Sequence, residues 1–389
     1  MGLEHPLVGI EWIVTFILMI VVIILRNKGY RPASLYGLLI GGTVSYCFGY
    51  FSNTPLIFNV DSFMYMLLPP IVLQSGLEFK WERVKYCWGT ALTLAWFGTL
   101  ITSFWVGYAV YITHDIEYFI IALWIGSILG PTDAVSTRDA VKDLRKNAKM
   151  VLEYESILND AVSIMMVHIC QRLWFNTMQI NSKDIIEIVA FNIMLLIISV
   201  IIGVICAYTA KIFVKTPTIV FLLALVGYAS CECMQSSGII SIFSFGITFQ
   251  FICPENYLKD INIVSKAFSE FAEIYIYVSI GVIVILTEFK YINIGFTVIL
   301  ACFTSRIVCV FLVTWLASYF GPKYTLLEKI SMSIFGVRGA LSLTLALSAP
   351  DDMKEVFITV TTIELLFSMF CTILWMRFSN RIFDSTTPY

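Results

Sequence analysis

The chain has 389 residues, of which 59% are hydrophobic and 13% charged, with a net charge of −2. Soluble domains carry about 25% charged residues, so the composition excludes a water-soluble globular protein, and the lack of a basic excess excludes a nucleic-acid partner. Apolar runs of about the 20 residues needed to cross a bilayer recur along the whole length, whereas a membrane β-barrel would show short alternating segments.

In chain order the runs predict thirteen membrane helices, at roughly 9–25, 33–50, 62–78, 86–113, 117–138, 149–174, 184–213, 216–232, 236–252, 263–286, 291–319, 325–348 and 354–378. The N-terminus lacks a basic region and a small-residue cleavage site, so no cleaved signal peptide is expected. Pro6 stands where a myristoylation motif has Ser or Thr. The loops are short, and residues 1–389 read as one membrane domain with no cytosolic regulatory domain. The ten cysteines are scattered through apolar runs without paired spacing. They read as small reduced core residues rather than zinc ligands or a disulfide framework.

Span 5 contains GSILGPTDAVST, where Pro131 lacks an N–H and Gly130 is conformationally loose. Span 12 contains GVRGA, with a glycine on either side of the Val337-Arg338 pair. Both spans are therefore expected to be interrupted. Non-helical backbone at membrane depth is tolerated only where it lines a cavity or is covered by protein. With the thirteen spans divided as six, one and six, spans 5 and 12 are each the fifth of a half. Matching interruptions in two halves point to an inverted-repeat secondary transporter. The repeats then cover about 9–174 and 216–378, joined by a linker helix at about 184–213.

Lys and Arg set the expected orientation. Nineteen of the 25 lie on the side of the loops after spans 1, 3, 5, 7, 9 and 11 and of the C-terminus, counting span ends, and four lie on the opposite side. The positive-inside rule then puts the N-terminus outside and the C-terminus in the cytosol, without saying which membrane. The remaining two, Arg306 in span 11 and Arg338 in span 12, fall well inside spans, away from their ends, where ionisable residues mark function.

The acids complete the pattern. Asp133 follows the break in span 5, and Thr132 adds a hydroxyl beside it. On span 6, Ser156 and Asp160 are four residues apart and share a face, while Glu155 and Asn159 share the neighbouring one. Hard oxygen ligands of this kind suit small hard cations, and carbonyls freed by a helix break can join them. A buried carboxylate binds a proton or a cation but holds both only at high cost, which is the minimum device for an exchanger. Glu273 in span 10 adds another acid, and Arg306 and Arg338 are the candidates to neutralise Glu155 and Glu273. Glu187 and Glu364 lie inside spans with no assigned role, and Glu153 and Glu232 lie near span ends. His168 reads as a packing or hydrogen-bonded residue, while His5 and His114 look extramembranous.

The stretches LLPPIVLQSGLEF, GPTDAVS, ESILNDAVSIM, SGIISIFSFGI and GVRGALSLTLAL resemble, in order and spacing, the cation/proton antiporter family of the sodium/proton exchanger type. The resemblance covers essentially the whole chain. It implies an all-α polytopic membrane fold with crossed discontinuous helices at spans 5 and 12, a homodimer, and an elevator-like motion of a core against a dimerisation domain. Carried over by position, Asp160 is the ion-carrying aspartate and Asn159 the neighbour that goes with electroneutral exchange. Asp133, Thr132 and Ser156 complete the site. Glu155 with Arg306 forms a core ion pair, and Glu273 and Arg338 match the family acid of span 10 and arginine of span 12. The implied activity is electroneutral Na⁺/H⁺ antiport in pH regulation, with Na⁺ held by Asp160 and Asp133 as cargo and no cofactor.

The chain departs from the family pattern at Ala134, where proline is usual, and at Tyr154, where glycine is usual. Four other readings compete, one of them a selective channel, although a carboxylate that must bind protons fits alternating access better. Exchange of K⁺, or of several monovalent cations, for protons keeps the same site. A non-transporting assembly subunit would keep the fold without needing Asp160 and Asp133. An intramembrane aspartyl protease needs a Gly-x-Gly-Asp stretch, which the chain lacks.

Overall fold

The computed structural model describes residues 4–28, 33–48, 60–79, 81–133, 136–137, 144, 146–175 and 182–386. These residues are almost entirely helical. The helices are α1 Glu4–Asn27, α2 Ala33–Phe48, α3 Leu68–Leu77, α4 Trp88–Thr113, α5 Phe119–Ile128, α6 Lys146–Phe175 and α7 Ser182–Ile212. They continue with α8 Pro217–Cys233, α9 Gly238–Ile252, α10 Glu255–Leu286, α11 Ile292–Phe320, α12 Leu326–Ile334, α13 Ala340–Leu347 and α14 Asp351–Thr386. A π-turn at Phe63–Leu67 leads into α3, and a second, Leu94–Gly98, widens α4. Among the described residues, five helical stretches are long and apolar enough to cross a membrane: Trp88–Thr113, Glu187–Ile212, Glu255–Ile285, Ile292–Tyr319 and Asp351–Phe378. Shorter apolar helices include Ile13–Arg26, Phe119–Ile128, Pro217–Cys233 and Gly238–Ile252.

Local chemistry sets several boundaries. Pro217 opens α8, where its missing N–H has no intrahelical partner to lose. Gln235, at φ 54°, turns the chain out of α8, and the Glu232 carboxylate accepts from the Gly238 N–H at 2.8 Å to start α9. Thr325 and Glu328 form a reciprocal capping box on α12.

The helices pack as two bundles. One joins α1, α2, α3, α7, α8, α9 and α10, and the other joins α4, α5, α6, α11, α12, α13 and α14. Contacts across the seam are sparse, chiefly α6 against α7 and α9, and α10 against α13. Within the first bundle α2 and α10 touch backbone to backbone. A Cβ on Gly41 would lie 2.2 Å from the Val278 carbonyl oxygen, and one on Gly281 would lie 2.2 Å from that of Leu38. Small residues permit this approach in membrane helices, where packing replaces the hydrophobic drive. The outer face of α7 exposes Ile193, Ile197, Ile201 and Ile205 at i, i+4 spacing.

Tyr154, where the family pattern has glycine, packs edge-on against Phe79 and near Trp88, 5.1 and 6.4 Å between ring centroids. Ala134 lies outside the described residues. The nine cysteines whose side chains are described are free thiols, mostly buried.

Candidate functional site

The two predicted interruptions are present, and they meet. α5 ends at Ile128, and residues 130–133 form no helix. α12 ends at Ile334, and residues 336–339 form no helix before α13 begins, with Gly339 extended. The Asp133 N–H donates to the Val337 carbonyl at 2.7 Å, so the two broken segments bond backbone to backbone. The approach requires glycine: a Cβ on Gly339 would lie 2.4 Å from that of Asp133.

Arg338 stitches this junction. Its Nη1 donates to the carbonyls of Gly130 at 2.9 Å and Pro131 at 3.1 Å, two acceptors left unpaired by the end of α5. The side chain is 2% exposed. This corrects the expected neutralisation of Glu273: Arg338 makes no ion pair with it. At membrane depth an arginine can pair with backbone carbonyls as well as with acids, and here the freed carbonyls take its donors. The buried Glu364 of α14 lies within electrostatic reach of Arg338. Glu273 accepts from Ser269 at 3.4 Å and lies 3.9 Å from the Arg26 guanidinium.

Arg306 does pair with Glu155. Both Nη groups donate to the two carboxylate oxygens, the second at 2.9 Å. Nη2 also donates to the Met332 carbonyl at 3.4 Å. The pair is buried and ties α6 to α11 and to the last turn of α12.

The neutral groups form one chain of donors. Asn159 Nδ2 donates to Thr132 Oγ1 at 2.8 Å, Thr132 Oγ1 lies 2.9 Å from Ser156 Oγ, and Ser156 Oγ donates to the Leu152 carbonyl at 2.9 Å. A hydroxyl has one proton, so the bond into Leu152 fixes the sense: Asn159 to Thr132 to Ser156 to backbone. These three residues lock the break onto α6. Asn159 Oδ1 is buried without a partner.

Asp160 and Asp133 are left facing a common cavity of about 40 Å³, which Glu273 and Tyr277 of α10 also line. At roughly 10–15 Å³ per water, it has room for a partly dehydrated small cation. Asp160 is 9% exposed and within electrostatic reach of Asp133. Asp133 Oδ2 accepts from the Ser136 N–H at 2.7 Å and from the Tyr277 hydroxyl.

Sequence reasoning did not single out Tyr277. Its one signal was the spacing of four residues from Glu273, which puts both on one face of α10. Of the remaining polar residues, His168 lines a small cavity with Asn192 and Ser236, and His114 lies 3.0 Å from Thr297 Oγ1. Glu153 pairs loosely with Lys149 at 3.9 Å, Glu187 is exposed, and the side chain of His5 lies outside the described residues.

Residues 11–377 match the family model described as sodium/hydrogen exchanger, transmembrane. Sodium/hydrogen exchanger 2 of Oryctolagus cuniculus is 27% identical over 363 residues, covering 86% of this chain and 44% of its own length. The Na(+)/H(+) exchanger beta of Oncorhynchus mykiss is 25% identical over 360 residues, covering 86% and 47%. The chain thus spans about half the length of these relatives. The fold is that of the sodium proton antiporter MjNhaP1 from Methanocaldococcus jannaschii at pH 8. The TM-score is 0.72 at 20% identity, and the match covers 96% of this chain and all of that one.

Proposed function

The chain belongs to the sodium/hydrogen exchanger family, and on that premise we propose that it exchanges one Na⁺ for one H⁺ across a membrane, without net charge movement. The observation that carries this reading is a cavity at the crossing of two broken helices that both Asp160 and Asp133 face. Asp160 is the carrier. Its buried carboxylate is neutralised either by a proton or by Na⁺, because ionised and alone it is unfavourable at that depth. Asp133 stays ionised as a fixed ligand, held by the Ser136 amide. Asn159, Thr132 and Ser156 hold the break in register without titrating.

Alternating access moves the second bundle against the first as an elevator. The sparse seam supports this motion, as does the placement of the whole cation site beside it. The bundle membership also fits two inverted six-helix repeats within a thirteen-span fold, joined by α7. Spans 1–3 and 8–10 fall in one bundle, and spans 4–6 and 11–13 in the other. Family members are integral multi-pass membrane proteins; here the N-terminus is placed outside and the C-terminus in the cytosol, from the distribution of Lys and Arg. A homodimer through the first bundle and a part in pH regulation complete the proposal.

The test is proton flux in proteoliposomes on addition of Na⁺, K⁺ or Li⁺. Na⁺-driven flux is expected. Flux driven by K⁺ but not Na⁺ would replace the cargo, and no flux with any cation would favour an assembly subunit.

A further inference from the structure

Tyr277 crosses the seam between the bundles. Its backbone is held in the first bundle, where a Cβ on Gly37 would lie 2.7 Å from the Tyr277 Cβ and Gly41 abuts Val278. Its hydroxyl ends in the second bundle, donating to Asp133 Oδ2 and lying 2.9 Å from Ser136 Oγ. The phenol proton is committed to the carboxylate, so the Ser136 hydroxyl is the donor in the other bond.

Two donors to Asp133 Oδ2 are therefore described. One, the Ser136 N–H, is three residues along the same segment and travels with Asp133. The other, the phenol, comes from the opposite bundle. A carboxylate oxygen that coordinates a cation on the same lone pair cannot also accept the phenol O–H. Of the two donors, only the phenol can leave without rebuilding the break.

We propose that the Tyr277 hydroxyl is a latch on the ion site. It occupies Asp133 while no cation is bound, and the cation displaces it. The latch sets the apparent Na⁺ affinity, because each Na⁺ that binds must first displace the phenol. The proposal rests on the exchange reading above.

The Tyr277→Phe variant removes the latch and little else. In proteoliposomes at alkaline pH, where proton competition is weakest, its Na⁺ concentration for half-maximal exchange should fall roughly tenfold, the scale of one lost hydrogen bond to a charged group, with no rise in maximal rate. In purified protein the Na⁺ concentration at the midpoint of thermal stabilisation should fall by the same factor. Ser136→Ala, which frees the phenol oxygen but keeps the backbone donor, should shift both readouts in the same direction by a smaller factor. It serves as the test if Tyr277→Phe does not fold. Midpoints that are unmoved, or raised as they would be if the hydroxyl were a Na⁺ ligand, overturn the latch while wild-type exchange stands. A wild-type protein whose flux and stability both ignore Na⁺ overturns the exchange reading and the latch together.

Discussion

Arg306 and Glu155 form a two-pronged ion pair inside the second bundle, between helices whose paired residues are 151 positions apart. Three elements meet there, since Arg306 also reaches the Met332 carbonyl. Removing one partner of a buried pair leaves an uncompensated charge, at about 3–5 kcal/mol. Arg306→Ala is therefore expected to lower thermal stability sharply, and adding Glu155→Gln should restore part of the loss. Additive losses in the double-mutant cycle, read by melting in detergent, would show that the two residues are not coupled.

Asp160 should be obligatory for exchange. Asp160→Asn keeps the shape and polarity of the side chain but can neither take up a proton nor balance a cation. The variant should fold, with a melting temperature at or above that of wild type, and show no cation-driven proton flux. Near-normal flux would end the proposed mechanism.

Arg338 should act through the backbone of the α5 break. Arg338→Ala releases the Gly130 and Pro131 carbonyls at membrane depth, and hydrogen bonds from charged donors contribute about 1.5–3 kcal/mol each. Lower stability and loss of Na⁺-dependent flux are expected. A Glu273→Gln exchange should leave the Arg338 contribution intact, because the two are not paired. If Glu273→Gln cancelled most of the effect of Arg338→Ala, the assignment to the carbonyls would be wrong.

Stoichiometry gives the sharpest test. With Asp160 alone exchanging its load, no net charge crosses, so an imposed potential should leave the Na⁺/H⁺ equilibrium where it was. One uncompensated charge couples by about 2.3 kcal/mol per 100 mV, a shift large enough to see with a valinomycin-clamped potential. Asn159→Asp puts a second titratable carboxylate beside the first and also removes the donor to Thr132. It should make the equilibrium voltage-dependent if it transports. A variant that transports and remains voltage-independent would remove Asn159 from control of stoichiometry.

Much of this protein is written in short-range pattern. Hydropathy alone made it a helical membrane protein, since about 20 apolar residues in a row have few other stable homes. Gly130-Pro131 marked one break by covalent chemistry, and the four-residue spacing of Ser156 with Asp160 placed two groups on one face of α6. Glu155 found Arg306 because buried opposite charges have few other ways to be satisfied. The tertiary structure decided what depends on approach between distant segments. It gave Arg338 to two carbonyls near position 130 rather than to Glu273, and it made Asn159, Thr132 and Ser156 into one hydrogen-bonded chain. It also brought Tyr277 across the seam to Asp133, 144 residues away. A tyrosine in an apolar helix carries no local sign of the carboxylate it will meet. Helical periodicity fixes the face a side chain shares, while the partner opposite that face is fixed only when the bundles pack.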